Sequence, residues 1–508
     1  MCGIFAVFLN STDINSYVSH FELGMDMLQK RGPERRREII SDKYILGFQR
    51  LGINDLSENG DQPIVSNDGN VVMMCNGEIF NYKELISKYG LKMVSGSDCE
   101  TILRLYENRT LNVAELNGDF AFVIFDKKKR EILLGRDRVG VRPLFYGYAE
   151  DGSVIIASEV KCMSLCKRIF HVQPSSVVRI NEKLEAEYEF YYDLTLTLPQ
   201  FSKNNDLKTL LIESTRKRLL SERPIGCLLS GGLDSSVICA ILCSLIGPKN
   251  VRTYSIGMEG SLDLMYAKKV ADYLGTSHTE VVFTPEEGLS VIPEVIYNLE
   301  SYDITTVRAS VGMYLLGKYI SQNSDDKVIF SGEGSDELFC GYLYFHYAPT
   351  PEEAHKESLR LISDMYKYDV LRADRCISCN GLELRVPFLD PDVLEYAKSL
   401  SPELKAPNGG IEKRALRDAF KGMLPDEVLY RRKDGFSDGV SGKAKPWYQH
   451  ITEYTNGKEA EWYREIYNRY FAHYPKPIDY YWMPKWIDCG NNPSGRVLRV
   501  FEKIKNVK

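Results

Sequence analysis

Cys2 opens the run MCGIFAVFLN, so loss of Met1 leaves a thiol and a free α-amine on one residue. A thiol is mostly protonated near neutral pH and needs a base or a cation beside it to act as a nucleophile. The seven histidines show no Cys/His signature, and none lies near Cys2 in sequence. A free α-amine, with a reference pKa of about 7.7–8.0, takes the thiol proton directly or through water. The chemistry is attack on an amide, which needs oxyanion donors and partners for the substrate's charged ends. NGEIFN offers the Asn76 amide and the Gly77 backbone N–H as donors. Arg50, in FQRLGIND, is a bidentate partner for a carboxylate, while Asp98, in SGSDCE, and Glu78 suit an ammonium. Those are the two ends of free glutamine.

A second set of residues suits a nucleotide. SGGLDSS, Ser230 to Ser236, lies between an apolar strand and an apolar helix. Its glycines let the backbone turn sharply and approach a ligand, and the helix N-terminus presents unpaired N–H groups to pyrophosphate. No GxxxxGK[ST] occurs, which excludes the Walker P-loop. VIFSGEGSDELFCGY brings Glu333, Asp336 and Glu337 to another strand end, the edge where an open α/β sheet binds ligands. Carboxylates beside a triphosphate require a bridging Mg²⁺, and Asp234 and Asp336 are the candidate metal ligands. Lys413, in GIEKRALR, and Lys433, in YRRKDGFSDG, are candidate cations for departing pyrophosphate. Taken singly, each pattern also reads as capping residues, an acidic turn or surface lysines.

The elements that must carry these residues divide the chain. Its 508 residues exceed one ordinary core, so two domains are expected. Up to about residue 195 the sequence alternates short strands and turns, YILGFQRLGI, VVMMCNG, FAFVIFD, EILLGRD, LFYGYA and VIIAS, with helices predicted at about 81–88 and 99–106. After FSKNND, strands IGCLLS, VRTYSIGM, TEVVFT and KVIFSGEG alternate with helical runs, the pattern of a doubly wound parallel sheet. The predicted domains are 1–195 and 200–508, with mostly helical signals beyond about residue 350 and an aromatic YYWMPKW tail.

Hydrophobic residues make up 44% and charged residues 26%, with a formal charge of −6. This leaves no basic footprint for nucleic acid or an anionic membrane and favours small-molecule chemistry. No apolar run reaches the roughly 18 residues of a membrane span, so a cytoplasmic protein is expected. The 12 cysteines are scattered in apolar surroundings and read as buried thiols. Cys376 and Cys379 form one CxxC, but no second pair completes a zinc site.

The SGGLDSS turn resembles the PP-loop of ATP pyrophosphatases, which cleave ATP between the α and β phosphates and activate a carboxyl group as an acyl-adenylate. The whole chain resembles the glutamine-hydrolysing asparagine synthetases. Its first half is similar to class II glutamine amidotransferases through MCGIF, RGPE, FQRLGIND, GDQPI, NGEIFNY, SDCET, LNGDFAFVIFD and GRDRVGVRPLFYG. Its second half matches through LLSGGLDSS, YSIGM, ESYDITTVRAS, FSGEGSDELFCGY, LRADR, GLELRVPFLD, GIEKRALR and GFSDGV.

The resemblance implies an Ntn-hydrolase-like αββα sandwich of α+β type, followed by an α/β doubly wound parallel sheet with a helical C-terminal part. It implies Cys2 as nucleophile, Asn76 and Gly77 as oxyanion donors, and glutamine held by Arg50, Leu51, Gly52, Ile53, Asn54, Glu78 and Asp98. ATP would meet Leu229, Ser230, Gly232, Asp234, Ser235, Ile256, Ser331, Gly332 and Lys433, with Mg²⁺ at Asp234 and Asp336. Glu333 and Lys413 would support formation and attack of β-aspartyl-AMP. The implied reaction converts L-aspartate, L-glutamine and ATP to asparagine, glutamate, AMP and pyrophosphate, in a homodimer. Two departures stand out: Gln49 replaces a frequent His beside Arg50, and VGM at 311–313 replaces the TPM of bacterial members, which with the YWMPKW run leans toward the eukaryotic type. Another amidotransferase, a β-lactam synthetase or a catalytically idle binding protein would share this architecture.

Overall fold

The computed structural model describes residues 1–10, 14–196, 206–433, 435–442, 445–475, 482–489 and 492–494. The expected change of domain at 195–205 falls almost entirely outside them.

The first half contains two six-stranded antiparallel sheets. In one, β1 (Gly3–Phe8) pairs with β2 (Tyr44–Arg50) on one side and with Val154–Ala157 on the other. In the other, β3 (Val71–Ile79) pairs along its length with Gly118–Asp126. Period-2 alternation builds the layers, because successive side chains point to opposite faces. Ile4, Ala6 and Phe8 of β1 meet Val72 and Met74 of β3 between the sheets. Phe5 and Val7 turn outward onto Tyr17, Phe21 and Met25 of helix α1 (Asn15–Leu28). On the far side, Met73 and Cys75 pack on Ile102, Leu103 and Leu105 of the helix Glu100–Glu107. The order is helix, sheet, sheet, helix, as expected, and the two helices predicted near 81–88 and 99–106 form at Tyr82–Tyr89 and Glu100–Glu107.

The second half is built on a five-stranded parallel sheet ordered Ser277–Val282, β5 (Arg252–Gly257), β4 (Ile225–Leu228), β6 (Val328–Phe330) and β7 (Glu383–Arg385). From β4 the chain winds one way to β5 and later the other way to β6 and β7, so a ligand crevice is expected at the carboxyl ends of β4 and β6. α2 (Leu233–Ile246) follows β4 directly. Between Val282 and β6 the sequence suggests one helix, and the structure has two, Pro285–Leu299 and α3 (Ile304–Asn323), split where Glu300 turns left-handed at φ 57°. The last helix used below is α4 (Asp369–Ser378), buried at every position. β7 was not expected; three residues carry too little pattern, and it is held by pairing with β6. Among the described residues, no helix is long and apolar enough to cross a membrane, and all 12 cysteines are unbridged. Cys376 and Cys379 are buried, their thiols donating to backbone carbonyls and pushed up by burial.

Candidate active site

β1 is buried at all six positions and fixes Cys2 where it enters the sheet. The Cys2 thiol donates to the Leu51 carbonyl at 3.6 Å, and its backbone N–H donates to Asn76 Oδ1 at 2.8 Å. Because Oδ1 is held by an N–H, the other half of that amide is a donor, and Asn76 Nδ2 is buried with no partner among the described residues. Gly77 follows at φ 146°, and a Cβ there would stand 2.1 Å from the Asp119 carbonyl, so the close strand approach admits only glycine. Burial pushes the Cys2 thiol up, opposed by the neighbouring amine, and burial brings the Met1 amine down to about 6.

Asn54, Glu78 and Asp98 converge as expected. Asn54 Nδ2 donates to a Glu78 carboxylate oxygen and to Asp98 at 3.3 Å, and Asp98 also accepts from the Ile79 N–H at 2.6 Å. Burial raises both carboxyls, and the Asp98 charge adds to the rise at Glu78, so this pocket gains from an incoming ammonium. Arg50 sits beside this group and is held by its own loop. Its two Nη atoms donate to Asp61 at 2.6 Å, to the Ser57 carbonyl at 2.8 Å, and to the Asn54 and Asp55 carbonyls. It therefore holds the 54–61 loop through both Nη atoms. Gln49 donates to the Met25 carbonyl at 3.0 Å and so braces α1 rather than the pocket. Gly52 and Ile53 carry the contact to the second half, through Arg223 Nε on the Gly52 carbonyl at 2.8 Å and the Glu222 N–H on the Ile53 carbonyl.

The second constellation lines one cavity at the carboxyl ends of β4 and β6. Leu229, Ser230, Gly232, Asp234, Ser235, Ile256, Ser331, Gly332, Glu333, Asp336, Lys413 and Lys433, the residues expected there from sequence, all lie on its wall. The turn is tight because Gly231 sits at φ 68°, where a Cβ would stand 2.4 Å from the backbone of Tyr266 and Ala267. Ser230 and Ser235 share a hydroxyl contact at 3.0 Å across the α2 N-terminus. Lys413 Nζ lies 2.7 Å from both Asp234 and Asp336, and Lys433 Nζ lies 2.6 Å from Asp336. Burial works to raise the Asp336 carboxyl, but the two lysines outweigh it and hold it well below the usual range. Glu333 meets Arg372 at 2.7 Å, yet burial raises its carboxyl to about 8.

Several residues at these centres were not singled out from sequence. Arg372 and Tyr342 share the cavity wall, and Trp482 of the aromatic tail joins them. Arg31 donates from Nε to the Cys2 carbonyl at 2.8 Å. Arg385 of β7 reaches within 3.7 Å of Glu78. RGPE, LRADR and GLELRVPFLD are visible as motifs, but their partners lie hundreds of positions away.

Comparison with known proteins follows the same division. Residues 1–192 match the glutamine amidotransferase domain, and residues 206–354 and 348–476 match asparagine synthase. The chain is 40% identical to the glutamine-hydrolysing asparagine synthetase of Cricetulus griseus, 39% to that of Homo sapiens and 38% to that of Gallus gallus. The alignments cover 98%, 98% and 99% of this chain and the same shares of those proteins.

Proposed function

The chain belongs to the family of glutamine-hydrolysing asparagine synthetases, and from that premise we propose that it makes asparagine at two coupled centres, one in residues 1–195 and one in residues 200–508. With Met1 removed, the N–H now facing Asn76 becomes part of the Cys2 α-amine, which takes the thiol proton. The thiolate attacks the side-chain carbonyl of glutamine, and Asn76 Nδ2 with the Gly77 N–H stabilises the oxyanion. The proton passes to the departing amine, ammonia leaves, and water releases glutamate from the thioester. Asn54, Glu78 and Asp98 hold the substrate's ammonium end, and Leu51 to Ile53 shape the pocket beside Arg50.

At the other centre, the aspartate β-carboxylate attacks the α-phosphorus of ATP and expels pyrophosphate, whose charge Lys413 and Lys433 offset. Leu229 and Ile256 on the cavity wall would contact adenine, and Ser230 to Ser235 would take the phosphates. Ammonia attacks the acyl carbon of β-aspartyl-AMP, loses a proton toward Glu333 and displaces AMP. Asp234 and Asp336 fit a Mg²⁺: both reach one lysine, and the described residues hold no third His, Cys, Asp or Glu grouped with them, so the remaining ligands would be phosphate oxygens and water. The ion would supply charge neutralisation on the phosphates. The 12 unbridged thiols suit a cytoplasmic setting, and the family resemblance adds a homodimer to the proposal.

The observation that carries this reading is the unpartnered Asn76 amide donor beside Cys2. The test is aspartate-dependent pyrophosphate release from ATP, driven by glutamine or by ammonium, in wild type and Cys2→Ala. Loss of the glutamine-driven reaction alone is expected. Equal loss with ammonium rejects the division of labour, and release without aspartate rejects the substrate.

A further inference from the structure

The LRADR motif has no assigned work in either reaction, yet it places one buried helix between both centres. In α4, Arg372 and Asp374 are two positions apart, about 200° around the axis, so they leave opposite faces. Arg372 Nη2 meets Glu333 Oε2 at 2.7 Å and is also gripped by Asp369, in the wall of the ATP cavity. On the other face, Asp374 and Ser378 form an i, i+4 pair, and both hold Arg31 Nη1 at 2.9 Å. Arg31 in turn holds the Cys2 carbonyl through Nε at 2.8 Å. Between the two faces, Arg375 anchors the helix through Glu159 at 2.6 Å, which also holds Arg31, and Glu300 at 2.9 Å. From Arg372 to Ser378 is six residues, a rise of about 9 Å.

We propose that α4 couples the two centres: Asp374 and Ser378 are positioning residues for Cys2, acting through Arg31, and Arg372 ties their helix to the occupancy of the ATP cavity. The proposal rests on the two-reaction reading above. Its physical basis is competition for one guanidinium. Substrate phosphates and carboxylates bring negative charge to a cavity in which Arg372 is shared between Glu333 and Asp369, so filled and empty cavities hold the first turn of α4 differently. Buried throughout, the helix has no slack in which to lose that difference before Asp374 and Ser378.

The test uses the intact enzyme, with Asp374→Asn and the milder Ser378→Ala. Three rates are measured: glutamine hydrolysis alone, glutamine hydrolysis with ATP and aspartate, and asparagine formation from ammonium. Both variants are expected to lower kcat for glutamine about tenfold, the size of one lost charged hydrogen bond. KM for glutamine holds within about twofold, because Arg31 touches the nucleophile's backbone and none of the pocket residues. Ammonium-driven synthesis, which also reports folding, stays within about twofold. In wild type, ATP with aspartate changes the rate of glutamine hydrolysis at least about twofold, and Asp374→Asn brings that ratio to one. A wild-type ratio of one, a parallel fall in the ammonium reaction, or a change confined to KM overturns the coupling. Failure of the wild type itself to make asparagine from ammonium overturns instead the reading on which the proposal stands, and is distinguished by appearing without any substitution.

Discussion

Asn76 Oδ1 accepts the Cys2 backbone N–H at 2.8 Å, and that single contact decides which half of the amide is left to face a developing oxyanion. Asn76→Asp keeps the acceptor and replaces the Nδ2 donor with an oxygen. The expected result is a fall of about 10²–10³ in kcat for glutamine, the range for one lost oxyanion donor, with KM nearly unchanged. Ammonium-driven synthesis is untouched. Steady-state glutamate release measures the first, and a loss confined to KM would assign Asn76 to ground-state binding instead.

Met1 is buried at 1% exposure between the two halves, its amine 3.3 Å from the Leu382 carbonyl just before β7. While Met1 remains, the Cys2 nitrogen is an amide and has no basicity to lend the thiol. Enzyme with Met1 retained, verified by intact mass, is expected to lose glutamine-driven synthesis by about 10²–10⁴, the usual worth of a positioned base, and to keep ammonium-driven synthesis. Normal glutamine use by that species would remove the α-amine from its role.

Gly341 passes so close to the cation pair that a Cβ there would stand 2.0 Å from Lys413 Cε and 2.2 Å from Asp336 Oδ1. Gly341→Ala therefore drives Lys413 off Asp336 without removing any charge. Pyrophosphate release is expected to fall at least about tenfold, the cost of one displaced contact to a charged group. Glutamine hydrolysis stays within about twofold. Retained pyrophosphate release would mean that Lys413 acts equally well from another position.

These predictions draw on residues whose legibility in the sequence differs for physical reasons. SGGLDSS is readable because a strand, a glycine turn and a helix follow within a few residues, and the positive φ of Gly231 is a local demand. β1 and the first five residues of β3 are readable because they are apolar in unbroken runs. Arg35–Ile40, RRREII, is not, since it is an edge strand whose exposed charges hide its pairing with β2. The loop contacts of Arg50 are not readable, because guanidinium chemistry is visible in sequence but the four carbonyl and carboxylate partners of the 54–61 loop are not. The role of LRADR is hidden for the same reason, as Asp374 meets Arg31 across 343 positions.

Glu333 offers a test of which force sets its charge. Burial raises its carboxyl to about 8, while Arg372 at 2.7 Å pulls the other way. In the unfolded chain the same group ionises near 4.3. Between those values the folded state binds the extra proton, so stability falls as pH rises through that window. Glu333→Gln has no proton to lose and escapes the slope. The melting temperature of wild type minus that of Glu333→Gln is therefore expected to decrease steadily from pH 5 to pH 8, by about 2–4 °C for each kcal/mol of linkage in a domain of 150–250 residues. If Arg372 dominates instead, the folded carboxyl is ionised throughout this range and the difference is flat. Differential scanning calorimetry of the two proteins across that range separates the cases.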